Sequence, residues 1–172
     1  IDLYGSPEFV AHLQRIEPRS YEEMVGRLNQ DIDVLGGLIE SDAKDFGTSS
    51  EDEITRELVR LLKARCYHAS HDADEGGHVD VRVASPDGRY SWLAEAKIYR
   101  SNSYLDTGMD QLLDRYVKGT PGNHRGGLLV YVQVDRCAER MADWKSFHEA
   151  QTPKYEELVV TACSERPGLA FF

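Results

Sequence analysis

Residues 77–97 of this 172-residue chain read GHVDVRVASPDGRYSWLAEAK, and they predict a β-hairpin. His78 to Ala84 alternate between polar and apolar side chains and are rich in valine, which favours a strand. Ser85 to Gly88, with the order Ser-Pro-Asp-Gly, is a strong turn signal, and Arg89 to Tyr99 predict a second strand. The two strands are therefore expected to be antiparallel neighbours.

The second strand carries two charged side chains on one face. Because side chains alternate between the faces of a strand, Glu95 and Lys97 project together beside Leu93. In an antiparallel hairpin Asp80 can lie across from Glu95, which brings two carboxylates within reach of one divalent cation. A Glu-x-Lys triplet by itself is also a common surface ion pair. The prediction of a metal site therefore depends on the whole hairpin and not on the triplet alone.

Two carboxylates and a backbone carbonyl suit Mg²⁺, which keeps several waters and takes further ligands from substrate phosphate. Asp80, Glu95 and the carbonyl of Ala96 are the predicted metal ligands, and Mn²⁺ could substitute for Mg²⁺. Lys97 would orient the attacking water or stabilise negative charge in the transition state. These residues predict a metal-dependent phosphodiesterase.

Asp80 followed by Glu95-Ala96-Lys97 resembles the PD-(D/E)xK superfamily of restriction-endonuclease-like nucleases over about residues 47–160. The sequence departs from that pattern at Val79, which stands where the name-giving proline would be. The resemblance implies an α/β fold with a central mixed sheet flanked by helices. It also implies a DNA endonuclease, with a prokaryotic restriction or defence role as the expected context.

In that superfamily an acid on a helix precedes a three-strand meander, and here the helix is expected over Ser50 to Ala64. Ser50 and Glu53 have the spacing of a capping box. Glu57 lies at the edge of the apolar stripe formed by Ile54, Leu58, Leu61 and Leu62. Glu57 is therefore the predicted helix-borne site acid, although a solvated glutamate is the commoner fate of such a residue.

A second helix is expected over Leu105 to Lys118. Gln111 and Tyr116 resemble the Gln-x-x-x-Tyr signature of one nuclease branch, with one residue more between them. We therefore expect Gln111 to support the site and Tyr116 to belong to the core.

The rest of the chain completes this order of elements. Residues 126–134 are almost continuously apolar and predict a strand in the middle of the sheet. A helix is expected over Ala138 to Ala150, and strand character recurs at residues 158–160. Residues 1–9 resemble the translated junction of a cloning vector, residues 10–46 predict a helical extension with a kink at Gly36-Gly37, and residues 47–172 form the expected nuclease core.

Composition sets limits on compartment and partners. Three widely separated cysteines, with no apolar run of membrane-spanning length, predict a cytoplasmic protein without disulfides. The net charge of −10 is unfavourable for binding a polyanion. Basic residues do gather after the second strand of the hairpin, at Arg100, Arg115, Lys118, His124 and Arg125. The loop 118–125 could follow a phosphate backbone, or it could be an ordinary solvated loop. A companion domain or a second copy is expected to supply part of the nucleic-acid surface.

Two other functions are open from the sequence. His68, His71 and His78, with Asp72 and Asp74, could bind zinc or another transition metal, although much of this stretch is expected to be a polar loop. The chain could also be a noncatalytic scaffold that binds nucleic acid or a partner. The presence of Asp80, Glu95 and Lys97 together favours the nuclease.

Overall fold

Helices surround one sheet in the computed structural model, which describes residues 5–42, 46–74, 78–116 and 120–150. The α-helices of this part are α1 (Pro7–Ile16), α2 (Tyr21–Ser41), α3 (Glu51–Ala64), α4 (Asn102–Gln111) and α5 (Cys137–Ala150). A π-helical turn, Leu112–Tyr116, continues α4. The strands are β1 (His68–Asp74), β2 (His78–Ala84), β3 (Ser91–Ile98) and β4 (Gly126–Tyr131).

The four strands form one mixed sheet in the order β1-β2-β3-β4. β1, β2 and β3 are antiparallel neighbours, and β4 is parallel to β3. A parallel pair needs a crossover connection, and α4 lies in that connection. The predicted α/β class, with a mixed sheet flanked by helices, is confirmed at this level.

The predicted hairpin is present with its turn. Asp87 accepts hydrogen bonds from the Ser85 hydroxyl and the Arg89 backbone N–H, and Gly88 has a φ of 74°, in the left-handed region that favours glycine. The register pairs Val83 with Trp92 and Val81 with Ala94. The pairing ends at Val81 and Ala94, and the Asp80 side chain then accepts a hydrogen bond from the backbone N–H of Ala96.

One expectation about strands was wrong, and a second, the central place of the strand at residues 126–134, depends in part on residues outside the described ranges. Residues 68–74 form the edge strand β1 rather than a polar loop, because a strand at a sheet edge is half exposed and accepts polar side chains. Within the described residues β4 is the other edge strand and ends at Tyr131, and all of its residues are partly exposed. An apolar run does not distinguish a central strand from an edge strand covered by helices. The strand expected at residues 158–160 lies outside the described residues.

α2 and α3 pack on one face of the sheet. The shared core joins side chains of these helices with the apolar side chains of β2 and β3, including Met24, Leu28, Leu58, Leu62, Val81, Val83 and Trp92. The predicted capping box of α3 is present, with Ser50 and Glu53 exchanging hydrogen bonds. On the opposite face, Leu112 of the π-helical turn packs with Leu93. Among the described residues, no helix has the length and apolar content to cross a membrane.

The N-terminal helices differ from the expected single kinked helix. The break falls at residues 17–20, where Pro18 disfavours continuation of α1 and Ser20 caps α2. α2 then runs through Gly36-Gly37 without ending. Ser6 caps α1, and Pro7 begins it, so the end of the vector-like segment belongs to a helix.

A buried carboxylate, Asp31, connects α1, α2 and the end of α3. Its oxygens accept hydrogen bonds from Arg15, Arg27, Arg65 and the Tyr67 hydroxyl, at 2.6 to 3.1 Å. Burial alone would raise the pKa of Asp31, but the hydrogen bonds from Arg15 and Tyr67 and the charges of Arg15 and Arg27 outweigh it and lower the pKa to about 2. This cluster fixes the helical extension to the core.

Candidate active site

The sheet becomes irregular at Asp80. Val81 packs in the core under α2 and α3, whereas Val79, two residues away, packs with Leu93 on the other face. In a regular strand both valines would face the same side. On β1, Asp72 lies across from Asp80 and has a φ of 54°, which is uncommon for a residue with a side chain. The backbone pairing of β2 with β3 ends just before this point, at Val81 and Ala94.

Beyond Ala94, where β2 no longer pairs with β3, two carboxylates accept hydrogen bonds from the backbone of β3. Asp80 Oδ2 accepts a hydrogen bond from the backbone N–H of Ala96 at 2.7 Å, and Glu51 Oε2 accepts one from Ile98 at 2.7 Å. Alternate residues of a strand direct their N–H and C=O groups to the same edge, so both contacts, and the Ala96 carbonyl, belong to the edge that β2 has left. Asp80 of β2 and Glu51 of α3 thus accept hydrogen bonds from backbone N–H groups of β3 that do not pair with β2.

Glu95 and Lys97 are buried together rather than exposed on a strand surface. Glu95 is 4% exposed and Lys97 is 9% exposed. Lys97 Nζ donates to Glu95 Oε1 at 2.5 Å, and Glu51 Oε1 lies 4.0 Å from the same nitrogen. An ordinary surface ion pair has no reason to be buried, since desolvation opposes it.

The cluster contains more carboxyl groups than cationic groups. Burial raises the pKa of Glu95, and the charges of Asp80 and Glu51 add to this, while the hydrogen bond from Lys97 opposes it. Burial acts to lower the pKa of Lys97, but the hydrogen bond to Glu95 and the surrounding carboxylates raise it overall. Lys97 therefore stays protonated among three carboxylates, and negative charge is in excess.

The helix acid that the structure brings to this cluster is Glu51, whereas the predicted helix acid, Glu57, pairs with Arg60. Glu57 is half-exposed and accepts two hydrogen bonds from Arg60, at 2.6 and 2.7 Å, and this partner lowers the pKa of Glu57. Glu51 belongs to the first turn of the helix, which points at the end of β3. A helical wheel shows which face a residue occupies, but not what the end of the helix points to.

Glu51 is supported by a hydrogen-bonded chain from β4. The Thr55 hydroxyl donates to the Glu51 carbonyl at 2.7 Å and lies 3.0 Å from the Tyr131 hydroxyl. Because the Thr55 hydrogen is directed to Glu51, Tyr131 is the donor in the second contact. Burial raises the pKa of Tyr131, which keeps it protonated for this role.

Gln133 holds the chain just before α3. Its Nε2 donates to the carbonyls of Phe46 and Ser49, at 2.8 and 2.7 Å. The sequence suggested no site role for Tyr131 or Gln133, because both belong to an apolar run that predicts a strand. Their polar groups in that run were the available signal.

Gly108 fixes the position of the Lys97 stem from the other side. A Cβ at Gly108 would lie 3.0 Å from Cγ and 3.2 Å from Cε of Lys97. Only a residue without a side chain lets α4 approach this closely. A glycine inside an otherwise helical pattern was the available signal.

The other predicted site residues are less directly placed. Gln111 is the last residue of α4, half-buried and one helical turn beyond Gly108, and no hydrogen bond among the described residues joins it to the acids. The extra residue between Gln111 and Tyr116 coincides with the π-helical turn, which accommodates one more residue than an α-helical turn. The side chain of Tyr116 lies outside the described part of the structure.

The histidines do not converge. His71 Nε2 lies 3.5 Å from an Asp52 oxygen, and His78 Nδ1 lies 2.8 Å from an Asp72 oxygen. Across residues 5–42, 46–74, 78–116 and 120–150, no group of three His, Cys, Asp or Glu side chains has the arrangement of a metal site. The described geometry gives no support to the histidine-based metal site; the side chain of Asp74 lies outside it.

The basic loop is also not beside the cluster. His124 and Arg125 both pair with Glu22, at 3.3 and 2.7 Å, and Arg125 precedes β4 at the end where β3 begins. Lys97 is near the other end of β3, about 13 Å along the strand from Leu93, where β4 starts. The described part of loop 118–125 therefore lies away from Lys97. The side chains of Arg115 and Lys118 are outside the described residues.

Comparisons with protein-family models, with curated proteins and with solved structures found no match to this chain. The cluster must therefore be judged by its own chemistry.

The donor atoms at the cluster are carboxylate oxygens, which would suit a hard cation such as Mg²⁺ better than a softer transition metal. Glu95 Oε2 is buried and has no hydrogen-bond partner among the described residues. Asp80 and Glu51 each use one carboxylate oxygen for the backbone of β3. Mg²⁺ needs only one or two protein carboxylates because water and substrate complete its shell, so two acids suffice where no group of three is formed.

A cavity of about 980 Å³ lies along β4, but it is a poorer candidate. Its walls include Val25 and Ile32 of α2, Leu129 of β4 and Trp144 of α5, and they do not include Asp80, Glu95 or Lys97. The wall is mainly apolar, and although Arg125, Lys145 and His148 also line it, it contains none of the clustered acids that could hold a metal beside a phosphate. The acid cluster is therefore the candidate active site.

Proposed function

We propose that this chain is a metal-dependent nuclease that hydrolyses phosphodiester bonds, with DNA as its substrate and Mg²⁺ as its cofactor. The observation that carries this proposal is the buried Glu95 Oε2, which has no hydrogen-bond partner within the described ranges and lies in a cluster of three carboxyl groups around one ammonium group. A buried carboxylate oxygen without a partner is costly, and a bound cation would relieve that cost.

Each side chain has a role in this proposal. Asp80 and Glu95 would hold the metal, with the Ala96 carbonyl as a further ligand on the same edge of β3. A bound Mg²⁺ would acidify a water molecule and offset phosphate charge. Lys97, whose ammonium group donates to the other oxygen of Glu95, would orient the attacking water and stabilise negative charge on the phosphate.

Glu51 would act as the helix-borne acid that shares Lys97 and fixes the end of β3. Gln111 remains a candidate supporting residue on α4. Restriction or defence in a prokaryotic cytoplasm is proposed from the motif resemblance alone. A companion domain or second copy would compensate for the net charge of −10.

The test is cleavage of plasmid and single-stranded DNA in Mg²⁺, Mn²⁺ or EDTA. We expect cleavage only with a metal, and a loss of about a hundredfold in Lys97→Ala. Lys63→Ala, at the exposed end of α3, is the matched control and should cleave normally. Cleavage that persists in EDTA, or a fully active Lys97→Ala protein, would contradict the mechanism.

A noncatalytic scaffold is the second candidate, and the direct Lys97–Glu95 contact favours it, because the lysine already offsets part of the negative charge. The scaffold predicts nucleic-acid binding that is the same in EDTA, survives Asp80→Ala and leads to no cleavage. Binding of Mn²⁺ that is abolished by Asp80→Ala would exclude it in favour of the nuclease.

A further inference from the structure

Two arginine–tyrosine pairs lie just beyond Lys97, at the end of β3. The Arg100 guanidinium is 5.0 Å from the centre of the Tyr104 ring, and that of Arg140 is 5.6 Å from the Tyr99 ring. Tyr99 and Arg100 follow β3 directly, Tyr104 belongs to α4 and Arg140 to α5. We call these four residues the arginine–tyrosine surface.

The surface is held by hydrogen bonds among the elements that meet there. The Tyr99 backbone N–H donates to the Tyr131 carbonyl at 2.9 Å, and the Tyr99 hydroxyl donates to Asn102 Oδ1 at 3.3 Å. Asn102 Nδ2 donates to the Asp143 carbonyl at 3.4 Å, which connects α4 with α5. The two pairs therefore belong to one fixed corner of the molecule.

Within the described part of the chain, no acidic side chain forms an ion pair with the arginines of this surface. Neither Arg100 nor Arg140 takes part in an ion pair among the described residues, and Arg140 Nε has no hydrogen-bond partner there. By contrast, Arg125 at the other end of the sheet is bound by Glu22. In a chain of net charge −10, unpaired guanidinium groups next to the acid cluster are the available phosphate contacts.

The position of Tyr99 relates this surface to the chemistry. Tyr99 follows the last residue of β3, two residues and about 7 Å along the chain from Lys97, and its backbone N–H continues the pairing with β4 at Tyr131. A polynucleotide with its scissile phosphate at Lys97 would pass over Tyr99 and its neighbours. Aromatic rings beside arginines bind unpaired bases by stacking, with the arginines on the phosphates, whereas base pairing and stacking in a duplex hide the base faces.

We propose that the arginine–tyrosine surface binds unpaired nucleotides next to the scissile phosphate, so that the preferred substrate is single-stranded. This rests on the proposed nuclease function for its biological meaning. The binding itself needs no cleavage, so the two proposals fail separately.

The test is fluorescence anisotropy in EDTA, with a short labelled thymidine oligonucleotide and a blunt duplex of the same length. We expect tighter binding of the single strand, and a loss of about tenfold in Tyr104→Ala. Tyr104→Phe keeps the ring and should bind normally. Arg100→Gln should weaken the single-strand complex and reduce its salt dependence, whereas Arg56→Gln on the exposed side of α3 should change neither.

The outcomes separate the alternatives. The proposed role of the arginine–tyrosine surface would be overturned, even if cleavage is observed, by duplex binding as tight as single-strand binding. Equal binding by Tyr104→Ala, Arg100→Gln and the wild type would overturn it as well. Single-strand binding that depends on these residues, with no cleavage in any metal, would retain the surface and remove the nuclease. If Tyr104→Ala fails to fold, as judged by circular dichroism, Arg100→Gln and Tyr104→Phe decide the proposal.

Discussion

Glu51 accepts a hydrogen bond from the backbone N–H of Ile98 at 2.7 Å, so the first turn of α3 is bound directly to the last residue of the motif strand. The residues are 47 positions apart in the chain. This contact places a third carboxylate beside Lys97, and it makes the start of the helix part of the candidate site.

Glu51→Gln should therefore reduce cleavage and Mn²⁺ affinity by about ten- to hundredfold, as is typical when a supporting acid of a metal site is lost. Glutamine keeps an acceptor for the Ile98 N–H, so the fold should be retained. Glu57→Gln is the matched control on the same helix, because Glu57 is bound to Arg60 away from the cluster. Equal losses in the two variants would show that Glu51 has no special role.

The pKa of Glu95 should control metal binding as a function of pH. Burial raises this pKa, and the hydrogen bond from Lys97 opposes the rise. Lys97→Met removes the opposing contact, so Glu95 should hold its proton to higher pH. We expect Mn²⁺ affinity to fall more at mildly acidic than at mildly alkaline pH, measured by titration calorimetry against Lys63→Met. A loss that does not vary with pH would contradict this coupling.

The local features of the hairpin could be predicted from sequence because they depend on near neighbours. The Ser85 to Gly88 turn, the alternating faces of β3 and the Ser50 capping box all involve residues within a few positions of one another. Such patterns also identified Asp80, Glu95 and Lys97 as one group. The structure brings these three together.

The missed features depend on contacts between distant segments. The Tyr131 to Thr55 contact spans 76 positions and the contacts of Gln133 span more than 80, so no local pattern contains them. Asp31 is bound by Arg65 and Tyr67, which are 34 and 36 positions away. The choice of Glu51 over Glu57 likewise depends on where α3 points relative to β3.

Asp31 should make stability depend on acid pH. Its pKa in the folded chain is about 2, against an ordinary value of 3.8, so the unfolded chain binds the proton more readily. The stabilisation is complete above the ordinary value and is lost as the pH falls through about 2. Urea unfolding at a series of pH values should show stability rising over this window.

Asp31→Asn should remove that pH dependence and lower the free energy of unfolding by about 3 kcal/mol, because it leaves three half-buried arginines without their buried anion. Glu139→Gln, which breaks an exposed pair with Arg136, should have no measurable effect. If the Asn variant is as stable as the wild type, the four hydrogen-bonding side chains around Asp31 are not what fixes the helical extension.

Gly108→Ala should damage the site through Lys97. The added Cβ would lie 3.0 Å from Lys97 Cγ and from Leu128 Cδ1, so either α4 must move away or the lysine stem must shift. Alanine is the better helix former, which alone would stabilise α4 by about 0.5–1 kcal/mol. Gly37→Ala in α2 tests the effect of helix propensity alone, since nothing lies within 4 Å of its added Cβ. We expect Gly37→Ala to raise the Tm with unchanged cleavage, and Gly108→Ala to lose cleavage without a matching gain in Tm. A Gly108→Ala protein that is both more stable and fully active would show that the close approach of α4 does not position Lys97.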